Sequence, residues 1–240
     1  MSSIRERVEQ ALSRHKTAVR KTNLDTIKKM QEKGYNEEQL RREFRESDRF
    51  RFPADQLEDH FDELDQKYNL SGFEPRNLVE FTEEDAKKYW KELELRVRAD
   101  AIPEFQETLT LPEEIDILFS MVNELHGSGL PDHVAAISMS LDGGYGWDPK
   151  EKDPWHDDWM GAYDRNGFNV LRGAAWPLGE PDHSGYIPWA IWCKLVDDEG
   201  EEQMPWAWRY AFCHIETDMQ LLYDVDELLD YLAKWAPEKV

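Results

Sequence analysis

Two stretches, "YIPWAIWCKLV" (186–196) and "WAWRYAFCHI" (206–215), constrain this chain more than any other feature. Each alternates large apolar residues with a period of two, the signature of a strand with two unlike faces. Ile187, Trp189, Ile191, Cys193 and Leu195 share one face of the first, and Trp206, Trp208, Tyr210, Phe212 and His214 one face of the second. The linker "DDEGEEQMP" reads as a solvated turn, so the pair is an antiparallel hairpin. Pro188 and Pro205 sit near strand starts, where a missing N–H is tolerated. Two further strands are expected. "HVAAISMSL" runs into the "DGG" turn of Asp142 to Gly144, and "GFNVLRGAAW" follows "DRNG" (Asp164 to Gly167), where Asn-Gly accepts positive φ.

A sheet of this kind needs a covering layer. "LPEEIDILFSMVNELHGSG" predicts one amphipathic helix. Pro112 suits its first turn, Glu113 and Glu114 suit its positive end, and Ile115, Leu118, Phe119, Val122 and Leu125 form its buried stripe. Gly127 or Gly129 ends it, and Ser128 between them reads as part of that stop. "YDVDELLDYLAKWA" predicts a closing helix capped by Asp224 or Asp226, with Val225, Leu228, Leu229, Leu232 and Trp235 inward. The fold class is therefore α+β: a helical N-terminal region followed by an antiparallel sheet with flanking helices.

Texture changes near residue 100. Nine of ten tryptophans and ten of twelve prolines lie in residues 101–240, while residues 1–100 read as helices. The division is 1–100, a helical N-terminal extension, and 101–240, an α+β domain. In the extension, "SIRE" (Ser3 to Glu6) fits a capping box, and Ile4, Val8, Leu12 and Val19 fall near one helical face, with Ile27 and Met30 on its continuation. Asn36 offers a second cap, and Leu57, Phe61, Leu64 and Tyr68 a third helix. Thr82 caps a fourth, with Ala86, Tyr89, Trp90, Leu93 and Val97 as its stripe. The first fifty residues are sparse in large apolar side chains, which fits a docking arm, a dimerisation hairpin or a tail.

Charge narrows the function classes. Residues 1–50 hold 13 Lys+Arg and 9 Asp+Glu (net +4), residues 51–100 hold 8 and 14 (−6), and residues 101–240 hold 8 and 28 (−20). The last segment repels phosphate backbones, which argues against nucleic acid, and draws basic partners. No run approaches a transmembrane length, and "MSSIRERVEQALSRHKTAVRK" lacks an apolar signal core. Cys193 and Cys213 are expected as reduced strand thiols, which points to the cytoplasm or nucleus.

"LPEEIDILFSMVNELHGSGLPDHVAAISMSLDGG" resembles the opening of the SUKH superfamily, which includes fungal cell-wall-assembly and glucan-synthesis regulators and bacterial toxin-immunity proteins. The resemblance rests on the Pro-Glu-Glu-Ile helix start, the Gly127, Leu130, Pro131 step and the Gly143-Gly144 turn. Asp142 stands where Asn is usual. "WAWRYAFCHI" and "VDELLDYLAKWA" resemble the family's close, so the likeness spans about residues 110–236. It implies an α+β fold with a central antiparallel sheet and a protein-interaction role, and it brings no catalytic residues. In a fungal setting it implies a regulatory adaptor, in a bacterial one an immunity-type inhibitor of a basic toxin.

The remaining feature is "WDPKEKDPWHDDWMGAYDRNGFNVLRGAAWPL" (147–178). Adjacent His156, Asp157 and Asp158 cannot all point one way; two could coordinate a metal with a distant third such as His183 or His214, but nothing in the spacing demands it and no metal or nucleophile motif accompanies them. No metal, cofactor or catalytic residue is expected. Trp189, Trp206 and Trp208 are expected to serve the core on one face. The loop tryptophans are different: Trp147, Trp155 and Trp159, with Trp176, Asp157 and Asp158, make a candidate surface for a basic or Pro-rich protein segment. A loop that folds back and buries its own tryptophans is the plainer reading. A hydrolase or carbohydrate-active enzyme with a Trp-lined cleft and His156, Asp157 or Asp158 as acid or base is a second class. Self-association through the N-terminal helices is a third.

Overall fold

The computed structural model describes residues 3–34, 71–75, 82–128, 136–138, 166–179, 186–214 and 219–234. Helix α1 spans Ile4–Glu32. Its capping box forms as expected: Ser3 Oγ accepts from the Glu6 N–H at 3.2 Å, and the Glu6 carboxylate accepts from the Ser3 N–H at 2.8 Å. Strand β1 is Phe73–Pro75, and helix α2 is Glu83–Asp100. Thr82 and Asp85 close a second capping box over an acidic first turn. Helix α3 is Glu113–Met121, and strands β2 (Val122–His126) and β3 (Ala136–Ser138) follow. Strands β4 (Asn169–Pro177), β5 (Tyr186–Val196), β6 (Glu202–His214) and β7 (Met219–Leu222) lead to helix α4, Val225–Lys234. Asp224 caps α4, its Oδ1 accepting from the Glu227 N–H at 2.9 Å. The calls on Asn36, on Leu57 to Tyr68 and on Trp235 lie outside the described residues.

The strands form two antiparallel sheets, a three-stranded β1-β2-β3 and a four-stranded β4-β5-β6-β7. The predicted hairpin is the centre of the second, running from Tyr186↔His214 to Val196↔Glu202. Its turn is held by Asp197, whose N–H donates to the Glu201 carbonyl and whose Oδ1 accepts from the Glu199 and Glu201 N–H groups.

The helix expected across 113–125 is shorter. It stops at Met121, and Val122–His126 becomes the middle strand of the first sheet. All five predicted stripe residues are still buried, because Val122 and Leu125 reach the core from a strand instead of a helical turn. Phe73↔Leu125 on one edge and Leu125↔Ile137 on the other satisfy the backbone that the helix gives up. Gly72 makes this possible. Its φ is +64°, and a Cβ there would lie 2.5 Å from the His126 carbonyl oxygen. The His126 N–H in turn donates to the Gly72 carbonyl at 2.9 Å. Ser128 therefore follows a strand, not a helix, and its buried hydroxyl donates to the Ala233 carbonyl at the end of α4.

One core joins the N-terminal helices to the rest. Val8 and Ala11 of α1 and Leu93 and Val97 of α2 share it with Ile115, Leu118, Tyr210, Phe212, Leu228 and Leu232. The stripe of α1 is thus used against α3 and α4 within the chain. Arg14 of α1 pairs with Asp226 and, at 3.8 Å, with Asp230 of α4. His15 is fully buried, and its Nδ1 and Nε2 each lie 3.0 Å from a carbonyl oxygen, of Leu229 and His126 respectively. A neutral imidazole can donate to one of these at a time.

The second sheet has two buried faces. Ala174, Trp176, Ala190, Tyr210, Phe212 and Leu222 face the helices, while Val170, Ala175, Trp189, Ile191, Cys193, Leu195, Ala211 and Leu221 form a separate cluster on the other side. Trp189 pairs with Ala211, and Trp192 with Trp208. Trp189 is therefore on the opposite face from Trp206 and Trp208, a correction to the expectation that the three share one. Each strand's own alternation was legible; the register that relates the two strands was not. Cys193 is a buried strand thiol, as expected. Burial pushes it up to about 11, against the nearby Arg209 guanidinium. Arg209 is itself buried and donates to the carbonyls of Cys193 (2.6 Å) and Pro205 (3.2 Å). Among the described residues no helix is long and apolar enough to cross a membrane.

Candidate functional site

Five aromatic rings gather where the helix-facing side of the second sheet approaches the β5–β6 turn. Alternation puts Trp206 and Trp208 on one face of β6, and the Trp192↔Trp208 pairing brings Trp192 of β5 onto it. Trp192 meets Trp208 edge-on at 5.5 Å and stacks near-parallel to Trp206 at 6.4 Å. Trp176 of β4 meets Trp208 edge-on at 5.1 Å. Phe105, from the turn between α2 and α3, caps the group at 4.7 Å from Trp206 and 5.7 Å from Trp192. Each such pair adds about 0.5–1.5 kcal/mol beyond area burial.

Two backbone features place Phe105. The Ile102 N–H donates to the Gly173 carbonyl at 2.8 Å, tying the turn to β4. Gly173 is the extra residue of a β-bulge between Arg172↔Cys193 and Ala174↔Trp192. A Cβ at Gly173 would lie 2.9 Å from both Trp192 Cδ1 and Trp206 Cζ3, and 3.1 Å from Phe105 Cδ2. The rings therefore occupy the space that any larger residue at 173 would need. Trp208 Nε1 donates to the Thr110 carbonyl at 2.6 Å. Trp192 Nε1 is buried with no hydrogen-bond partner.

This end of the sheet is only partly covered. Trp192, Trp206 and Trp208 are half-buried. Of the four exposed large apolar side chains among the described residues, two stand beside it. Ile102 is bonded to Gly173 and Leu171 lies opposite Lys194, whereas Met204 pairs with Leu195 across a register shift and so belongs to the other face. The border of this end of the sheet is acidic. Asp197, Asp198, Glu199, Glu201 and Glu202 crowd the turn, and the last four are exposed. Asp198 accepts from Asn169 Nδ2 at 3.2 Å. Glu199, Glu201 and Glu202 have no cationic partner among the described residues. Lys194, the nearest cation along β5, instead places its ammonium over the Trp206 ring, 5.5 Å from the centroid.

Other titratable groups are structural. Tyr210, fully buried, donates to Glu114 Oε1 at 2.5 Å, joining the sheet to α3. Burial raises the Glu114 carboxyl above its ordinary value, partly countered by that hydrogen bond. Burial likewise holds the His15 imidazole below its ordinary value. Among the described residues no three His, Cys, Asp or Glu side chains come together in a metal-binding group.

Of the residues singled out for partner binding, Trp147, Trp155, Asp157, Asp158 and Trp159 lie outside the described residues, as do His156 and His183. Trp176 is 3% exposed and belongs to the core, packed on Trp208, so it offers no free face to a partner. Sequence reasoning missed Phe105, Trp192 and Lys194. The signal for the last two was present: "WCKLVDDEGEEQMPWAW" brackets an acidic turn with aromatic residues on both strands. Phe105 carries no such signal, because a turn residue gains its place only from tertiary contacts. Compared with known proteins, the chain matches no family model, no curated protein and no solved structure.

Proposed function

We propose that this chain is a non-enzymatic protein-interaction protein of the cytosol, which takes a basic segment of a partner on an acidic, tryptophan-bearing surface. The SUKH resemblance supports an adaptor, regulatory or immunity-type role. The observation that carries the reading is the half-buried Trp206 with its exposed apolar neighbours, set against acidic side chains that pair with no cation among the described residues. Aromatic anchors ringed by polar groups are the usual composition of interaction hot spots. A net charge of −20 over residues 101–240 would draw a basic segment toward this rim and hasten its docking. Trp147, Trp155 and Trp159, with Asp157 and Asp158, which lie outside the described residues, remain candidates as further anchors for such a segment.

The test is a binding panel of Lys/Arg-rich, Pro-rich neutral and acidic peptides against the full chain, read by fluorescence anisotropy. Preference for the basic peptides, weakened by raised salt and by the double variant Trp155→Ala/Trp159→Ala or by Trp206→Ala, supports the reading. Equal or stronger binding of acidic peptides, or binding of none, overturns it.

A further inference from the structure

We propose that Lys194 occupies the seat of the partner's cation on Trp206 and must leave it when a basic segment binds. This inference rests on the basic-segment reading and adds a residue that sets its affinity. Lys194 is an unusual cation for its surroundings. It lies three residues before a turn holding Asp197, Asp198, Glu199, Glu201 and Glu202, yet no ion pair forms between them. Its ammonium instead sits 5.5 Å from the Trp206 centroid, within the roughly 6 Å at which a ring face attracts a cation. The Trp206 ring is held in place by its packing against Phe105 and Trp192. Its face toward Lys194 is thus a preformed cation site, already demonstrated by a residue of the chain itself.

The same geometry identifies what would fit. An incoming Arg or Lys finds an aromatic face at the seat, exposed Leu171 for its methylene stem or its neighbours, and the free carboxylates of Glu199, Glu201 and Glu202 for flanking charges. Arginine fits better than lysine, because its planar guanidinium stacks on an indole and is more weakly hydrated. Lys194 at rest keeps the site satisfied and competes with the partner, since a cation–π contact at a partly exposed position must be broken before another forms. A neutral Pro-rich segment would gain nothing from the loss of Lys194, which separates the two partner classes.

A fluorescein-labelled Arg-Ser repeat peptide is titrated into the full chain and into Lys194→Met, Lys194→Arg and Lys87→Met. Lys87 is exposed on α2, about 20 Å along the helix from its end at Asp100, and controls for the lost charge. Lys194→Met is expected to tighten binding about two- to five-fold, the factor that an exposed cation–π contact is worth. Lys87→Met and Lys194→Arg are expected not to tighten it. In NMR spectra the Lys194 side-chain methylenes, shifted upfield by the Trp206 ring, should return to ordinary positions as peptide saturates. If Lys194→Met gains no more than Lys87→Met, or the methylenes stay upfield at saturation, Lys194 is no placeholder. The basic-segment reading then survives only where Trp206→Ala still weakens binding. If the peptide binds none of the proteins, both fall.

Discussion

Gly173→Ala is a one-carbon probe of the aromatic group. Nothing in the backbone forbids alanine there, since the position is not among the glycines with positive φ. The obstacle is steric. The new Cβ would sit 2.9 Å from two tryptophan rings and 3.1 Å from Phe105. None of those atoms is the free end of a flexible chain, so the rings must shift together. Overpacking of this kind costs about 1–3 kcal/mol. Alanine recovers about 0.4–1 kcal/mol by restricting the unfolded chain. The net expected loss is about 1–2 kcal/mol, or about 2–8 °C in Tm for a chain of this size. Thermal unfolding followed by tryptophan fluorescence reads it, and near-UV circular dichroism reports the altered ring packing directly. Phe105→Leu in the same background should restore part of the loss, so that the double variant falls short of additivity. A Gly173→Ala protein with unchanged Tm and unchanged near-UV spectrum would refute the packing argument.

Four further outcomes test the scaffold around the site. Gly72→Ala combines a φ of +64° with a Cβ 2.5 Å from the His126 oxygen, and should lower stability by at least about 2 kcal/mol in urea unfolding. Tyr210→Phe removes the donor to a largely buried Glu114 oxygen and should cost about 1–3 kcal/mol, whereas Glu114→Gln keeps an acceptor for Tyr210. Because burial raises Glu114, the folded state binds its proton more tightly than the unfolded chain does. That contribution is full below the ordinary 4.5 and is lost as pH rises through the folded value, so Glu114→Gln should gain on the wild type across that window. His15 is lowered by burial, so the stability it contributes is present above its ordinary 6.5 and is lost as pH falls through the folded value; His15→Ala should flatten that limb of a pH–stability curve while costing stability at neutral pH.

Much of the scaffold was legible because it depends on local chemistry. The capping groups Ser3, Thr82 and Asp224 and the stripes of α2 and α4 follow from neighbours within a turn or two. So does the alternation of β5 and β6. What was not legible depends on partners far along the chain. Val122 and Leu125 fit a helical stripe and a strand equally well. Only Phe73 on one side and Ile137 on the other decide between the two. The register that turns Trp189 away from Trp208 is likewise a property of the pair of strands. For the site, the acidic and aromatic composition drew attention to residues 147–178. The group that the structure brings together centres on Trp192 and Trp206, and Trp176 joins it only as a buried support.

The most direct measurement of the central claim is a charge reversal on the rim that leaves every ring in place. Glu201→Lys/Glu202→Lys changes two exposed side chains that make no described pair, so the unfolding free energy should hold within about 0.5 kcal/mol of the wild type. Titrated with a labelled basic peptide at low and physiological salt, this variant is expected to bind at least about ten-fold more weakly at low salt, with a flatter salt dependence. Affinity and salt slope equal to those of the wild type would contradict the account.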